Sequence, residues 1–525
     1  MKLFLISLIP YFIYVIKKSK NSFHMLQQNY YDDDHRYLRW IIVNNRKVLF
    51  DRDLLFLVFV CTLFLQTGLT VGIFIVLYCY LYFSINKVKV LDKKPLVITD
   101  RVKRMICTLT IVYLMVVLPM VLSFNYEYLP YYYLILGCLA YLNNFVIMFV
   151  NILNIPVEKC VYLHYKHMAI DKLKSMNIPV IGITGSYGKT SSKNIINDIL
   201  NIKLNSFATP KSFNTPYGLI NSINNYLDKF NDTFIAEMGA FKIGEIKKNC
   251  DLVHPKYGII TTIGEAHLET FGSRDNIMKG KFELIESLPK DGVAILNGDD
   301  PYQKKYKIKN KCKVYWIGID NHDVDLYATN IKLTSAGTTF ECVFKGDTTK
   351  YKFETRLLGK HNIYNILEGI MLGSVLGLNK DELIRGVKSI RTIEHRLELK
   401  KMGKINIIDD AYNSNPVGSK MAVEVLGLMP GEKIIVTPGM IELGPEQYNL
   451  NYKFGEYISG SVDYAILIGE KQTKPIQDAL NDKGFDSKKV FVLNDVRDAF
   501  PLMNKLATNN TYVLLENDLP DLFNE

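Results

Sequence analysis

The 525-residue sequence lacks the patterns of several common classes of protein. Its eight cysteines are scattered without a C-x-x-C pair, so neither a disulfide framework nor a zinc site is supported. It has no internal repeat and no low-complexity tract, which excludes a solenoid. Its first apolar stretch has lysines behind it and no small-residue cleavage site, so a cleaved secretory signal is not expected. These absences fit a chain whose soluble part folds in a reducing compartment.

Long uncharged tracts are concentrated in residues 1–155. The short apolar stretch 3–16 is predicted to be a retained anchor or an interfacial helix. The tract 54–83 is longer than one span, and it fits either a tight hairpin or one tilted helix. The tracts 105–123 and 130–153 each have spanning length. The sequence therefore predicts about four to five transmembrane segments.

Basic residues next to these tracts predict the orientation of the chain. The net charge of +10 would also suit nucleic acid, but much of the excess lies beside the apolar tracts. Residues 17–53 contain eight Lys or Arg and residues 84–104 contain seven, whereas the link 124–129 contains none. We therefore expect a multi-pass plasma-membrane protein without a nucleic-acid partner. Both basic loops and everything after residue 155 are expected in the cytoplasm.

A glycine-rich turn follows the first apolar run of the soluble part. The run ends in G-S-Y-G-K-T-S-S, which contains Gly185, Gly188, Lys189 and Thr190, and a helix-compatible segment follows. Glycines let backbone amides turn toward a polyphosphate, and the helix N-terminus adds partial positive charge. A lysine in this place reaches the β and γ phosphates, and a threonine hydroxyl can hold Mg²⁺. The pattern therefore predicts a nucleotide-binding strand, phosphate loop and helix.

The remaining sequence alternates apolar strands with helical stretches, which predicts an α/β fold with a mainly parallel sheet. Three domains are expected: a transmembrane region 1–155, an ATP-binding domain 156–395 and a Rossmann-like doubly wound domain 396–525. Antiparallel strands are predicted to extend the central sheet. The runs that predict them are 313–317, 338–344 and 350–357.

Two polar residues follow strand candidates at places where a metal ion could bind. Glu237 ends the strand in I-A-E-M-G, and His267 follows a strand in I-G-E-A-H-L-E. An acidic residue at the end of a strand that neighbours a phosphate loop can meet the Mg²⁺ of a nucleotide. Either residue alone also fits an ordinary solvated or satisfied polar side chain.

The order of the motifs resembles the Mur ligase family, most closely its D-alanyl-D-alanine-adding branch, over roughly residues 170–515. The motifs that carry the resemblance are G-I-T-G-S-Y-G-K-T (182–190), S-F-N-T (212–215), E-M-G-A (237–240), G-E-A-H-L-E-T-F-G-S (264–273), L-N-G-D-D (296–300), G-K-H-N-I-Y-N (359–365), D-D-A-Y-N-S-N-P (409–416) and M-I-E-L-G (440–444).

The resemblance implies an ATP-dependent, ADP-forming ligase that uses Mg²⁺ and makes amide bonds. Lys281 matches the lysine that these enzymes carbamylate, and for His361 a packing role and a functional role are equally supported. The catalytic residues that the resemblance implies are Lys189, Lys281, His267 and Arg396. The implied metal-binding residues are Thr190, Glu237, His267 and Lys281. The implied nucleotide-binding residues are Gly185, Ser186, Gly188, Lys189, Thr190, Asn297, Asn362, Asn365, Arg396 and Asp410.

The sequence departs from the family at both ends. Soluble members begin with a small domain that grips a UDP-sugar, where this chain has its apolar tracts. At the last strand, Glu516 and Asp518 replace a basic ending, which fits either a cationic nucleophile or a solvated acidic loop. Asn451 stands near a usual histidine.

The resulting hypothesis is a membrane-anchored ligase. It would join an amino acid or dipeptide to a carboxylate of a cell-envelope, peptidoglycan-type precursor through an acyl phosphate. The lipid bilayer and both substrates are the expected partners, and membrane proteins stay open as further ones. The alternatives are a poly-amino-acid synthase of the same type, a catalytically degenerate membrane scaffold and, with less support, a transporter-type ATPase.

Overall fold

The structure, a computed structural model, describes residues 1–62, 67–86, 95–264, 268–334, 337–392, 396–411, 416–441 and 443–517. The chain divides into two compact units, Met1–His164 and Tyr165–Glu525.

The first unit is helical, and aromatic side chains dominate its core. The rings of Phe74 and Tyr133 stack with their centroids 3.9 Å apart, and Tyr11, Tyr14 and Tyr78 are also buried. Its helices are α1 (Lys2–Gln28), α2 (Arg36–Val43), α3 (Asn45–Val48), α4 (Val58–Thr62), α5 (Thr67–Asn86), α6 (Asp100–Leu122), α7 (Leu129–Tyr141) and the first part of α8 (Asn143–Met176), which continues past His164.

Buried polar contacts join the first and last helices of the first unit. The basic segment that begins at residue 17 starts as helix, because α1 continues to Gln28 and buries Ser19 and Ser22. Ser19 donates to Asn143 Oδ1 at 3.0 Å, and Asn143 Nδ2 donates to Ser22 Oγ at 2.8 Å. The tract 130–153 is divided between α7 and α8, which are separated at Leu142. Whether these tracts cross a membrane stays a prediction.

Two helices among the described residues are long and apolar enough to cross a membrane, α6 and α8. Several apolar side chains of α6 are exposed, including Met115 at 71% and Leu122 at 78%. A shorter apolar stretch covers Leu69–Ile85. The middle of the tract 54–83 lies partly outside the described residues, so the hairpin stays a prediction.

A nine-stranded mixed sheet, in the order β2-β3-β1-β4-β5-β6-β7-β8-β9, forms the core of the first part of the second unit. Its strands are β1 (Val180–Thr184), β2 (Ser206–Ala208), β3 (Thr233–Glu237), β4 (Tyr257–Ile260), β5 (Val293–Asn297), β6 (Lys313–Gly318), β7 (Leu326–Thr334), β8 (Gly337–Phe344) and β9 (Tyr351–Thr355). Its helices are α9 (Lys189–Leu200), α10 (Pro216–Asn225), α11 (Glu245–Val253), α12 (Leu268–Phe271), α13 (Arg274–Glu286), α14 (Pro301–Lys305), α15 (Lys360–Val375) and α16 (Lys380–Lys388).

The nine-stranded sheet is parallel over more of its width than the sequence predicted. The run 313–317 was expected to be antiparallel, but β6 pairs parallel with β5. The connection between these strands contains α14, and a connection of that length lets the second strand run in the same direction as the first. Antiparallel pairing is found from β7 to β8 and from β8 to β9.

A second sheet has six strands in the order β10-β11-β15-β12-β13-β14. All its neighbours pair parallel except the edge pair β10 and β11. This confirms the predicted doubly wound sheet. Its strands are β10 (Glu398–Met402), β11 (Ile405–Asp410), β12 (Glu432–Thr437), β13 (Tyr464–Ile468), β14 (Val490–Leu493) and β15 (Thr511–Glu516), and its helices are α17 (Pro416–Gly427), α18 (Gln447–Ser459), α19 (Lys474–Asp482) and α20 (Ala499–Leu506).

Candidate active site

The turn between β1 and α9 has the geometry of a phosphate loop. Gly188 has φ +79° and directly precedes α9. Gly185 has φ +153°, and a Cβ there would lie 2.0 Å from Thr261 Oγ1, so only glycine fits. Ser186 Oγ accepts the Gly264 N–H at 2.9 Å, which links the loop to the segment after β4. The loop thus leads into the N-terminus of α9, the end that favours anions.

Lys189, the first residue of α9, folds its side chain back over the loop. Its Nζ donates to Gly185 O at 2.8 Å and to Ser186 O at 3.2 Å. Burial lowers the pKa of this ammonium, the Glu237 carboxylate opposes that shift, and the charge of Arg396 adds to it. The Lys189 side chain therefore lies at the loop, where the negative charge of Glu237 and the positive charge of Arg396 both act on it.

Glu237 ends β3 beside the phosphate loop, because β3 pairs with β1 and Glu237 is in register with Ile183. Its side chain is 1% exposed. Thr190 Oγ1 donates to Oε1 at 3.2 Å and to Oε2 at 3.1 Å. Asn214 Nδ2 also donates to Oε1, at 3.1 Å. A hydroxyl and a carboxylate, both hard oxygen donors of the kind that Mg²⁺ prefers, therefore lie together at the start of α9.

Lys193 is a member of this cluster that the sequence reasoning missed. Its Nζ lies 3.0 Å from Glu237 Oε2, and both side chains are 1% exposed. The same ammonium donates to Lys211 O. Its spacing from Lys189 could have predicted it from the sequence, because residues four apart share one face of a helix.

Lys281 lies on α13 and is 1% exposed, so the alternative of an ordinary exposed helix lysine is wrong. Its Nζ donates to Ala240 O at 3.3 Å and lies 5.4 Å from the centroid of the Phe271 ring. Burial lowers the pKa of Lys281 to about 7, and the charge of Lys189 acts in the same direction. A neutral amine is therefore accessible to this side chain near neutral pH.

Asn297 ends β5 and organises the segment that follows. Its N–H donates to Gln303 Oε1 at 2.9 Å, and its Oδ1 accepts the Asp299 N–H at 2.9 Å. Tyr364 of α15 donates its hydroxyl to Asp299 Oδ2 at 2.9 Å. These contacts connect the end of β5 to the start of α15.

Asn362 and Asn365 lie together on the first turns of α15. Asn362 Nδ2 donates to Leu358 O at 2.8 Å, and Asn365 Nδ2 donates to Asn362 Oδ1 at 3.4 Å. A Cβ on Gly188 would lie 3.3 Å from Asn365 Oδ1. The structure therefore brings Asn365 to the phosphate loop.

His361 and Arg396 lie within electrostatic range of each other. Burial lowers the pKa of His361 to about 4, and the charge of Arg396 adds to this shift. The charge of Arg396 also lowers the pKa of Lys189 at the phosphate loop.

Asp410 and Glu516 form a carboxyl pair at the ends of β11 and β15. They are in register on neighbouring parallel strands. Burial raises the pKa of Asp410 to about 6, although Arg396 and the Leu397 N–H, which donates to Asp410 Oδ1 at 3.2 Å, oppose that rise. Glu516 is fully buried, so the interpretation of this residue as part of a solvated acidic loop is wrong.

Three parts of the predicted site lie outside the described residues: His267, the segment 412–415 and Asp518. Within the described ranges, no group of three or more His, Cys, Asp or Glu side chains could hold a metal ion. Asn451 is fully buried, and its Oδ1 accepts the Met440 N–H at 2.8 Å, so it supports the turn after β12.

Two family models match the second unit. The model of the Mur ligase middle domain matches residues 183–373, which contain the phosphate loop. The model described as Mur ligase, glutamate ligase domain matches residues 395–516, which contain Asp410 and Glu516. The chain belongs to the Mur ligase family. Members of this family are ATP-dependent ligases that form amide bonds, and they use Mg²⁺.

Individual relatives point to one branch of the Mur ligases. The UDP-N-acetylmuramoyl-tripeptide–D-alanyl-D-alanine ligase of Bacillus subtilis is 30% identical over 66% of this chain and 74% of its own length. The Escherichia coli enzyme of the same name is 31% identical over 57% of this chain and 66% of its own length. The structure of MurF ligase from Thermotoga maritima in complex with ADP has a TM-score of 0.61 at 25% identity, and covers 68% of this chain and 80% of that one.

Proposed function

We propose that this Mur ligase is a membrane-anchored enzyme that extends a peptide of a peptidoglycan-type precursor. ATP would activate a carboxylate of the precursor, and an amino acid or dipeptide would supply the amine. The observation that carries this proposal is the phosphate loop with Thr190 facing the buried Glu237 at the end of the neighbouring strand. D-Alanyl-D-alanine is the first amine to test, because the similar Bacillus subtilis enzyme is named for it.

The reaction needs activation because a carboxylate is a poor electrophile. In the proposed sequence a carboxylate oxygen attacks the γ-phosphorus of ATP, ADP leaves, and an acyl phosphate forms. The amine then attacks the acyl carbon, phosphate leaves, and an amide remains. Charge on the transferred phosphoryl group must be balanced. Lys189 at the loop and Arg396 within its electrostatic range supply two cations for that purpose.

Mg²⁺ would be held by the oxygen donors of Thr190 and Glu237, with His267 as a further predicted support. Both described donors suit a hard cation, and Mg²⁺ retains several waters in addition to few protein ligands. When bound, the ion would neutralise charge on the β and γ phosphates. Asn297, Asn362, Asn365 and Asp410 are the proposed contacts to adenine, ribose or the metal site.

Carbamylation of Lys281 is the finer part of this proposal. The ammonium would first lose a proton, and the neutral amine nitrogen would attack CO₂, form an N–C bond and release a second proton, so that a cation becomes an anion. Burial of Lys281 favours its uncharged form and so supports this chemistry. The resulting carbamate would supply oxygen atoms beside the metal site.

The apolar helices α6 and α8 support a membrane location for the first unit. Met115 and Leu122 are exposed apolar side chains of α6. A continuous surface of such side chains is unfavourable in water, whereas contact with lipid is favourable. We propose that the ligase unit lies on the cytoplasmic side, where ATP is available. Extraction of cell membranes with alkaline carbonate tests the membrane location of the first unit. Retention in the pellet supports it, and release into the supernatant contradicts it.

The catalytic proposal is tested with the full chain purified in detergent. ATP, D-alanyl-D-alanine and either a UDP-linked or a lipid-linked muramoyl tripeptide are supplied, and phosphate release is measured. Hydroxylamine is added in parallel to trap the acyl phosphate as a hydroxamate. We expect release that depends on one of the two tripeptides and falls at least ~1,000-fold in Lys189→Met.

The matched control is Lys203→Met, which removes an exposed lysine beyond the end of α9 and should leave the rate unchanged. Release that needs no tripeptide, or that is the same in Lys189→Met, would contradict the proposal. A product with many added residues would instead identify a poly-amino-acid synthase. Absence of release with both tripeptides would favour the scaffold.

A further inference from the structure

Lys193 lies behind the candidate metal site. It is three residues after Thr190 on α9, so the two side chains lie on neighbouring parts of one helix face. Its ammonium is 3.0 Å from Glu237 Oε2 and also donates to Lys211 O. A lysine is almost never fully buried unless it is paired. The 1% exposure of this one shows that its charge is directed to the site and away from solvent.

The contacts of Glu237 divide between its two carboxylate oxygens. Oε1 accepts from Asn214 at 3.1 Å, and Oε2 faces Lys193 at 3.0 Å. Thr190 Oγ1 lies 3.2 Å and 3.1 Å from the two oxygens, in front of the carboxylate. One donor on each oxygen therefore holds the carboxylate, and the Thr190 hydroxyl contacts both of its oxygens.

Lys193 also connects the carboxylate to the segment before α10. Lys211, whose carbonyl accepts from Lys193, has a left-handed backbone with φ +48°. Three residues later, Asn214 donates to Glu237 and its carbonyl accepts the Gly239 N–H at 2.8 Å. One ammonium thus holds both the carboxylate and the segment that carries the second donor to it.

We propose that Lys193 is a positioning residue for Mg²⁺ binding, which acts by holding the Glu237 carboxylate toward Thr190. The inference rests on the proposed function, in which Thr190 and Glu237 hold the metal of bound ATP. Side chains that orient a metal ligand from behind change metal affinity or activity about 10–100-fold when they are removed. Lys193 is not a catalytic residue, because its ammonium contacts the carboxylate and a carbonyl, both of which belong to the protein.

The test measures binding of the non-hydrolysable ATP analogue AMP-PNP by calorimetry, with Mg²⁺ and with EDTA, to the full chain in detergent. We expect Lys193→Met to weaken binding about 10–100-fold with Mg²⁺ and less than about 2-fold with EDTA. Lys193→Gln keeps a donor for Lys211 O but removes the charge, and it should show most of the same loss. Lys203→Met is the matched control, since that lysine is 44% exposed and pairs with Glu382.

Equal weakening with and without Mg²⁺ would overturn the proposal, because it would indicate a structural role only. A double-mutant cycle with Glu237→Gln gives a second readout. If Lys193 acts through Glu237, the double variant binds Mg²⁺–AMP-PNP about as well as Glu237→Gln alone. If the losses of Mg²⁺–AMP-PNP affinity in Lys193→Met and in Glu237→Gln multiply in the double variant, the proposal fails. The double variant also removes both buried charges, so it stays informative if Lys193→Met does not fold.

The binding assay needs no precursor or amine. If wild-type protein binds Mg²⁺–AMP-PNP but makes no amide, the proposed function fails while the Lys193 result stands. If amide forms and the Lys193 variants bind Mg²⁺–AMP-PNP normally, only the positioning role fails.

Discussion

Each of the two sheets places an acidic residue of the candidate site at the end of a parallel strand, with different neighbours. Glu237 of the nine-stranded sheet is held by the Lys193 ammonium, a hydroxyl and an amide. Asp410 of the six-stranded sheet is in register with a second acid, the buried Glu516. An ammonium stabilises a carboxylate, whereas burial favours the protonated form of an acid and raises the pKa of Asp410 to about 6. The two strand-end acids thus lie in surroundings of different charge.

This difference fits the two roles that we propose for Glu237 and Asp410. An ionised, oriented carboxylate suits a divalent cation, which fits Glu237 beside the phosphate loop. A carboxyl pair that retains a proton is a poorer cation ligand but can donate and accept hydrogen bonds, which suits a hydroxyl-rich ribose. We propose this division, and four predictions test it.

The largest effect is expected from Glu237→Gln. It removes the negative charge and leaves the buried Lys193 ammonium without the carboxylate with which it pairs. We expect amide formation to fall about 100–1,000-fold and the free energy of unfolding to fall by about 3–5 kcal/mol. Rates of amide formation and denaturant melts measure the two effects. Glu354→Gln, on an exposed carboxylate of β9, is the control. A fall of less than about 10-fold in rate would remove Glu237 from the metal site.

Lys281→Ala should lower amide formation about 100-fold. The reason is that Lys281 is a buried lysine of α13 whose Nζ contacts a carbonyl oxygen and the Phe271 ring, so carbamylation would give the site a second anion. Added bicarbonate should raise the activity of CO₂-depleted wild type but not that of the variant. The control is Lys279→Ala, an exposed lysine two positions away on α13. Bicarbonate without effect on wild type would contradict carbamylation.

Asp410→Asn tests the carboxyl pair through the pH dependence of stability. The pKa of Asp410 in the folded chain is raised to about 6, so the folded state binds more protons than the unfolded state between about pH 4 and 6. Stability from this group is present at low pH and is lost as pH rises through that window. Wild type should lose about 1–3 kcal/mol more than Asp410→Asn between pH 4 and 7.

Denaturant melts across this pH range measure the loss of stability. Asp320→Asn, on an exposed carboxylate, should behave as wild type does. If the unfolding free energies of wild type and Asp410→Asn change with pH in the same way, Asp410 does not hold an extra proton in the folded chain.

The smallest effect is expected from Lys400→Met. Lys400 of β10 pairs with Asp409 at 2.8 Å and Glu398 at 2.9 Å, but its side chain is 42% exposed. Solvent screening limits such pairs to about 0–1 kcal/mol. The change in unfolding free energy should therefore be several-fold smaller than that of Lys193→Met, whose charge pair is buried. Equal changes in unfolding free energy in Lys400→Met and Lys193→Met would show that burial of the charge pair does not set its contribution to stability.

Local sequence predicted the elements that position the phosphate loop. The apolar run, the two glycines and the following helix gave β1, the loop and α9, because each depends on neighbours within a few residues. Glu237 was placed at a strand end for the same reason. The interruption at Leu142 and the contacts of Asn143 with the serines of α1, which are distant in sequence, were not predicted.

The sequence by itself determined the order of strands, loop and helices and the residues that the Mur ligases share. Only the tertiary structure decided which charge faces each strand-end acid. Lys193 meets Glu237 because β3 pairs with β1, and Glu516 meets Asp410 because β15 enters the sheet beside β11. The physical reason is that periodicity encodes which face of an element is buried. The partner across that face is fixed by strand pairing, which brings together residues far apart in the chain.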